Sequence, residues 1–500
     1  MSARDKPSPT LWWSAVVAAA VLGLALRIAA AQGGFWTDEA WSMIYAHDAR
    51  NAAGVFLRIN HDNNHHLYSL WLQAIGLDAP AWLARLPAIL AGTAAIVVAA
   101  LLAARSSAWA GVIAAMLFAL SPSMVTFGSE ARGYALMLLA ALVMLLVVTR
   151  AIDRGSGQGT PWWLALVAAL GMLSHMTMAV PVGLITLWVY VDRRAAVGPA
   201  KALPATAVLM GPALGATAAV VAFVFAAAAL SPTGMRVGGY LPFQWSDYGL
   251  ALDDLSGWTL GASALAPWIG PLVVGGLAAW IAWRPPAWLG SQGRLYAILV
   301  LGLPLAVALL HPGNSGFARY YLCSALGLLL LASLWIGHGL ARPGIARAVA
   351  CSAVAAISLI SLWHDSQLLR AERGHPDGAV EVIAEASPAG ARVALDPLRL
   401  EAITTVAAFR DHYPLTIVGG CAPADYVVSA QARFAAPKRS IVRCGVRMRA
   451  LGSDDGTALT GDRWTVYGRQ SLQTTGAPDS GPPPGGAKRR LFSRAGVAQG

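Results

Sequence analysis

Phe35-Trp36-Thr37-Asp38-Glu39-Ala40-Trp41 follows directly on an apolar run from Leu11 to Ala31. That run is close to the ~20 residues an α-helix needs to cross a bilayer. Two adjacent carboxylates, set among aromatic rings, therefore stand where a membrane helix meets water. Such a stretch can be a solvated, capped helix start with an aromatic belt. It can also be a reaction centre held at the lipid surface, and the rest of the chain decides between the two.

Composition speaks first about class. The 500 residues are 57% hydrophobic and only 12% charged, about half the charged fraction of a soluble protein. Further apolar runs lie near 84–104, 109–126, 134–149, 162–175, 177–191, 205–229, 262–283, 295–310, 321–338 and 346–363. With the first, they make about eleven helices and a polytopic α-helical membrane protein. No small-residue cleavage site follows the first run, so it reads as a retained helix and not a signal peptide. A net charge of +11 would suggest nucleic acid in a soluble protein. Here membrane topology accounts for the cations first, and no nucleic-acid partner is expected.

If the N-terminus is cytoplasmic, Arg105, Arg150, Arg154, Arg193, Arg194, Arg284 and Arg342 fall at inner helix ends. The outer loops are poorer in Lys and Arg and richer in Asp, Asn, His and Trp, as the positive-inside rule asks. Asp38 and Glu39 then lie on the outer face. Richness in Ala, Gly, Val and Arg suggests a GC-rich bacterial genome, and hence a bacterial plasma membrane.

Residues 49–80 are too polar to span and read as amphipathic helices on the outer surface, joined by the polar turn around His61 to His66. A second outer loop, 231–258, is rich in Trp, Tyr and Asp. After His364 charges return and short β-like stretches appear at Arg392–Leu395, Leu415–Val418, Asp425–Ser429 and Trp464–Tyr467. Helical patterns at Val380–Ala386 and Leu400–Phe409 separate some of them. The chain thus divides into a transmembrane catalytic domain (1–363), a small extracytoplasmic α/β domain (364–475) and a Pro/Gly-rich basic tail (476–500) that reads as disordered. Cys323 and Cys351 fall in apolar runs. Cys421 and Cys444 both fall in the small domain, as a disulfide if it faces an oxidising compartment or as two buried thiols.

Five polar clusters interrupt the apolar chain, and the topology sends all of them to one side. They are Asp38-Glu39; Asp62-Asn63-Asn64-His65-His66 with Tyr68; Ser129-Glu130-Ala131-Arg132-Gly133-Tyr134; Ser174-His175; and the stretch from Asn314 to Tyr321 that holds Arg319-Tyr320. Ionisable groups at the bilayer edge are costly and tend to mark function. Each has a plainer reading: an interfacial Glu130–Arg132 pair, a core His175, a solvated His65-His66 turn, an Arg319-Tyr320 anchor. Together they suggest a carboxylate base, guanidinium groups for a phosphate and aromatic faces for a sugar, all beside lipid. Transfer of a sugar from a lipid-phosphate carrier needs that combination.

At this point the chain resembles a family. Thr37-Asp38-Glu39-Ala40 is similar to the Asp-Glu motif of the GT-C glycosyltransferases, in the protein-mannosyltransferase-like branch that also holds bacterial enzymes decorating lipid A. Asn63-Asn64-His65-His66-Leu67-Tyr68 stands where such proteins often carry His/Pro-Pro-Leu-Tyr, with His65-His66 in place of Pro-Pro. Glu130-Ala131-Arg132-Gly133-Tyr134 resembles a Glu-Ala-Arg-x-Tyr segment, His175-Met176-Thr177 a His-Tyr-Thr element, and Arg319-Tyr320 a later Arg-Tyr pair. The resemblance implies a polyprenyl-phosphate-linked sugar as donor, an envelope glycan, lipid or protein as acceptor, and inversion at the anomeric carbon. Asp38 would be the general base. Glu39 would orient it, hold the acceptor or help place a divalent cation (Mg, Mn or Ca), on which such enzymes differ. Arg132, with His65, His66 or Arg319, would hold the phosphate, and Asn63, Asn64, Tyr68, Glu130, Tyr134, His175 and Tyr320 complete the candidate binding set. Two other classes compete. A transporter or lipid flippase should carry midplane charges and an inverted repeat, and neither is evident. An envelope-assembly scaffold would need no base at Asp38.

Overall fold

The computed structural model describes residues 8–61, 63–154, 159–231, 234–236, 241–261, 268–397, 400–430, 436–454 and 460–469. The expected tail at 476–500 and Asp62 of the polar turn lie outside the described residues. The first membrane helix, α1 (Pro9–Ala30), starts with Pro9 in its first turn, while the Ser8 hydroxyl accepts from the Leu11 amide, a standard way to close an open helix end. Three short helices follow, α2 (Thr37–Asp48), α3 (Ala52–Leu57) and α4 (His66–Ile75). The last two, α3 and α4, fall in the segment 49–80 predicted to lie along the surface, and α2 precedes it.

The bundle continues with α5 (Ala81–Ala103), α6 (Ala108–Leu120), α7 (Pro122–Phe127), α8 (Tyr134–Arg154), α9 (Thr160–Ser174), α10 (Ala179–Val197), α11 (Pro199–Ala229), α12 (Trp245–Leu260), α13 (Ile269–Trp283), α14 (Gly290–Leu310), α15 (Leu322–Leu340) and α16 (Ile345–Ala371). The eleven predicted runs overlap α1, α5, α6, α8–α11 and α13–α16, except that the run 109–126 is broken at Ser121 into α6 and α7, and residues 262–267 of the run 262–283 lie outside the described residues. Seven helices among the described residues are long and apolar enough to cross a membrane, and the protein is a multi-pass membrane protein. α15 is buried along most of its length, whereas α1, α11 and α16 expose Val17, Val21, Phe223, Phe225, Val349 and Leu359. Apolar side chains in such numbers on outward helix faces are what a lipid surround requires.

The last long helix runs on to Ala371, past the predicted boundary at residue 363. The sequence turns polar at His364 and Asp365, but Asp365 points inward and Leu368 packs with Ala30 and Val125. The turn in hydropathy therefore marks a buried polar face, not the helix end.

The small domain adds α17 (Gly378–Ala386) and α18 (Glu401–Arg410) to a sheet of β1 (Ala391–Asp396), β2 (Leu415–Ile417), β3 (Tyr426–Ala430), β4 (Ser440–Arg443), β5 (Val446–Asp454) and β6 (Trp464–Arg469). The strand order is β2-β1-β3-β6-β5-β4. β1 is parallel to β2 and β3, and the remaining pairs are antiparallel. β5 is hidden in the sequence because Arg447 and Arg449 flank the buried Met448 and their charge masks the alternation of a half-buried strand; β4 is the four-residue strand that pairs with it. Cys421 and Cys444 form a disulfide, with Cα atoms 5.7 Å apart. Val393, Val428 and Val466 of the sheet share one apolar core with Ile403 and Val406 of α18, Ala40 and Met43 of α2, and Tyr68 and Leu72 of α4. The small domain is thus packed onto the helix that carries Asp38 and Glu39.

Candidate functional site

Consecutive residues on an α-helix point about 100° apart, and at the start of α2 this splits the two carboxylates. Glu39 turns inward and is fully buried. Its oxygens accept from Arg85 Nε at 2.9 Å and Nη2 at 2.6 Å and from the Ala131 amide at 2.6 Å. Arg85 also donates to the Ala31, Gly33 and Gly34 carbonyls, at 2.9, 3.1 and 2.7 Å. Glu39 and Arg85 thus lock the α1–α2 loop to α5 and to the loop before α8.

Asp38 turns outward. Its Oδ2 lies 2.7 Å from Arg132 Nη1 and 3.2 Å from Arg319 Nη1, with the carboxylate side chain 23% exposed. Asn63 bridges the cluster: its amide nitrogen donates to the Asp38 carbonyl and the Ser42 hydroxyl, and its oxygen accepts from Arg132 Nη2 at 2.5 Å. The Arg132 and Arg319 guanidiniums each sit 5.9 Å from the Trp36 ring. Arg132 also lies over Tyr134 at 4.9 Å and Arg319 over Tyr320 at 5.5 Å. Behind Tyr134, the rings of His175 and His65 follow, with Tyr134–His175 and His65–His175 centroids 4.5 and 4.6 Å apart. Gly133 lets the two loops meet, since a Cβ there would collide with the Ser174 carbonyl.

The structure therefore gathers Asp38, Asn63, Arg132, Tyr134, His65, His175, Arg319 and Tyr320 at one end of the bundle. The other candidates stand elsewhere. Asn64 ties the Val55 and Ile59 carbonyls to Ser69. Tyr68 donates to the Ala84 carbonyl at 2.9 Å. Glu130 is buried against Arg373 Nη1 at 3.0 Å and the Thr460 hydroxyl at 2.6 Å. His66 faces away from Asp38, stacked on Phe56 at 5.3 Å beside a cavity of about 210 Å³ that Ile59, Asn60 and Met176 also line. Arg85, Arg373, Thr460 and Asp462 complete the support and were not singled out from sequence. The one local signal was Arg85 itself, a charge within an apolar run.

Burial pushes the Glu39 carboxyl upward, but the charge and hydrogen bonds of Arg85 win, with help from Arg373 and the Ala131 amide, and hold it below the ordinary value of 4.5. A carboxyl whose folded pKa lies below its unfolded one stabilises the fold above the unfolded value and loses that stabilisation as pH falls through the folded one. The unfolding temperature of the wild type is therefore expected to fall as pH drops below about 4.5, more steeply than that of Glu39→Gln; parallel pH profiles would count against it. Burial, then His175 and Arg132, hold His65 well below its usual range, and burial alone brings His66 down to about 4. Both shifts disfavour the imidazolium form, so His65, the one of the two within the cluster, is suited to hydrogen bonding rather than to attracting an anion by charge. His65 Nε2 is buried without a hydrogen-bond partner.

Glu39 is thus taken up by Arg85 and the Ala131 amide, whereas both guanidiniums at Asp38 lie on its Oδ2. Among the described residues no group of three or more His, Cys, Asp or Glu comes together.

No curated protein sequence matches the chain. Residues 64–223 match the family model of the dolichyl-phosphate-mannose-protein mannosyltransferases. The crystal structure of ArnT from Cupriavidus metallidurans bound to undecaprenyl phosphate has a similar fold, with a TM-score of 0.51 at 14% identity over 92% of this chain and 98% of that one. The apo oligosaccharyltransferase of Archaeoglobus fulgidus aligns over 85% of this chain and 70% of its own, at 13% identity and a TM-score of 0.45. The matched segment runs from the polar turn into α11, and the fold is similar to that of ArnT over most of both chains.

Proposed function

We propose that the protein transfers a sugar from a polyprenyl-phosphate carrier to an envelope glycan, lipid or protein on the outer face of a bacterial membrane, with inversion and with Asp38 as general base. The observation that carries this reading is the single carboxylate oxygen of Asp38 shared by Arg132 and Arg319. The acceptor hydroxyl oxygen attacks the anomeric carbon as its proton passes to Asp38. The bond from that carbon to the phosphate oxygen breaks, and the phosphate leaves with the electron pair. Arg132 and Arg319 neutralise the phosphate through planar, multidentate donors. Until the donor arrives these guanidiniums are held by Asp38, so an incoming phosphate competes for them and frees the base as it binds. Trp36, Tyr134 and Tyr320 supply rings against which a sugar can stack.

The reading is tested in a deletion strain. Polyprenyl-phosphate sugar is expected to accumulate there and to clear on re-expression of the wild type; an unchanged lipid-linked sugar pool would overturn the assignment. The clamp has its own test. Losing a charged hydrogen-bond donor costs about 1.5–3 kcal/mol, so Arg132→Ala is expected to weaken undecaprenyl phosphate binding by about ten- to hundredfold. Titration of the purified protein with undecaprenyl phosphate checks this, and equal affinity would refute the role of Arg132.

A further inference from the structure

We propose that Asp462 of the small domain is a positioning residue for the reaction, acting as the N-terminal cap of the helix that carries Asp38. The inference rests on the role of Asp38 proposed above. The first amides of an α-helix have no partner within the helix, and a side chain at the preceding position ordinarily supplies one. The residue preceding α2 is Trp36, which makes no capping bond. Instead the carboxylate of Asp462, 425 residues away in sequence, accepts from the Thr37 amide through Oδ2 at 2.8 Å and from the Thr37 hydroxyl through Oδ1 at 2.5 Å. A carboxylate there also meets the positive end of the helix dipole.

The cap is itself held in place. The Asp462 amide donates to the Arg373 carbonyl at 3.0 Å. Gly374 adopts φ +78° beside it, where a Cβ would strike the Asp462 carbonyl. Arg373 runs on into the bundle, donating to Glu130, Thr460 and the Ser129 carbonyl. The same segment therefore grips α2 on one side and, on the other, the loop that carries Arg132. Asp38 and Arg132, 2.7 Å apart, are fixed relative to each other partly through the small domain, and a shift of about 1 Å between reacting groups is enough to cost around a hundredfold in rate.

The experiment uses the full chain, with the polyprenyl-phosphate sugar extracted from the deletion strain as donor. For Asp462→Ala, kcat is expected to fall by about tenfold or more, with the KM for donor and the affinity for undecaprenyl phosphate within about threefold of wild type, whereas Asp462→Asn, whose amide oxygen can still accept from the Thr37 amide, is expected to keep most of kcat. Hydrogen exchange in Asp462→Ala should quicken in the peptide spanning residues 37–41 and stay unchanged in α8 and α15. Wild-type kcat in Asp462→Ala, a loss carried by KM instead, or unaltered exchange at α2 would each overturn the proposal. Should neither variant fold, Thr37→Val removes the hydroxyl half of the cap and is expected to show the same split to a smaller degree; wild-type kcat in it would overturn the proposal equally. The two readings fail separately. Full turnover in Asp38→Asn would end the base assignment, whereas inactive Asp38→Asn beside fully active Asp462→Ala would end only the cap.

Discussion

Asp38→Asn is expected to lower sugar transfer by about 10²- to 10⁴-fold, the usual worth of a positioned general base, and to leave the protein folded. Asparagine matches aspartate in shape, so the Ser42 and Asn63 bonds to the residue 38 carbonyl need not change. What is lost is the proton acceptor for the attacking hydroxyl. The same substitution removes the anion that occupies Arg132 and Arg319, so undecaprenyl phosphate is expected to bind as tightly as to the wild type, or more tightly. That opposition, less turnover with undiminished phosphate affinity, separates a base from a residue that merely shapes the pocket, whose loss would lower both. Turnover within about threefold of wild type would reject the assignment.

Much of this arrangement is legible in the sequence because the membrane makes polar residues conspicuous. In a chain with 12% charged residues, each break in an apolar run is a signal, and Asp38, Asn63, Arg132, His175 and Arg319 all stand at such breaks. Apolar runs likewise located the membrane helices, though α12 (Trp245–Leu260), set among Trp, Tyr and Asp, reads as a loop, and short β-like stretches located β1, β2, β3 and β6 of the small domain. What the sequence hides is direction. Asp38 and Glu39 are neighbours in the chain and face different ways, one to Arg132 and Arg319 and one to Arg85. His65 and His66 part company for the same reason: one ring lies tilted against His175 and the other stacks on Phe56. Nor does any local pattern mark Arg373, Thr460 or Asp462. Their partners lie hundreds of residues away, and a polar residue in a polar domain carries no signal until the domain is docked.

The pair Glu39–Arg85 should give the largest effect on stability. Both side chains are fully buried, and removing one partner of such a pair leaves an unpaired charge in a low-dielectric interior, at a cost of about 3–5 kcal/mol. Arg85→Ala is expected at the upper end, because it also strands the Ala31, Gly33 and Gly34 carbonyls and leaves Glu39 with only the Ala131 amide. Glu39→Gln should cost less: its amide oxygen can still accept from Arg85, which keeps all three carbonyls. Arg85→Lys should not restore stability, since a single ammonium cannot reach the carboxylate and three carbonyls that a planar guanidinium spans. Thermal unfolding of the detergent-purified variants ranks them, with the order wild type, Glu39→Gln, Arg85→Lys, Arg85→Ala expected from most to least stable. A wild-type midpoint for Arg85→Lys would mean that charge alone, and not the fork of donors, holds the α1–α2 loop. The catalytic consequence follows the same geometry: this loop leads directly into Thr37 and Asp38, so variants that survive folding should lose turnover in the order in which they lose stability.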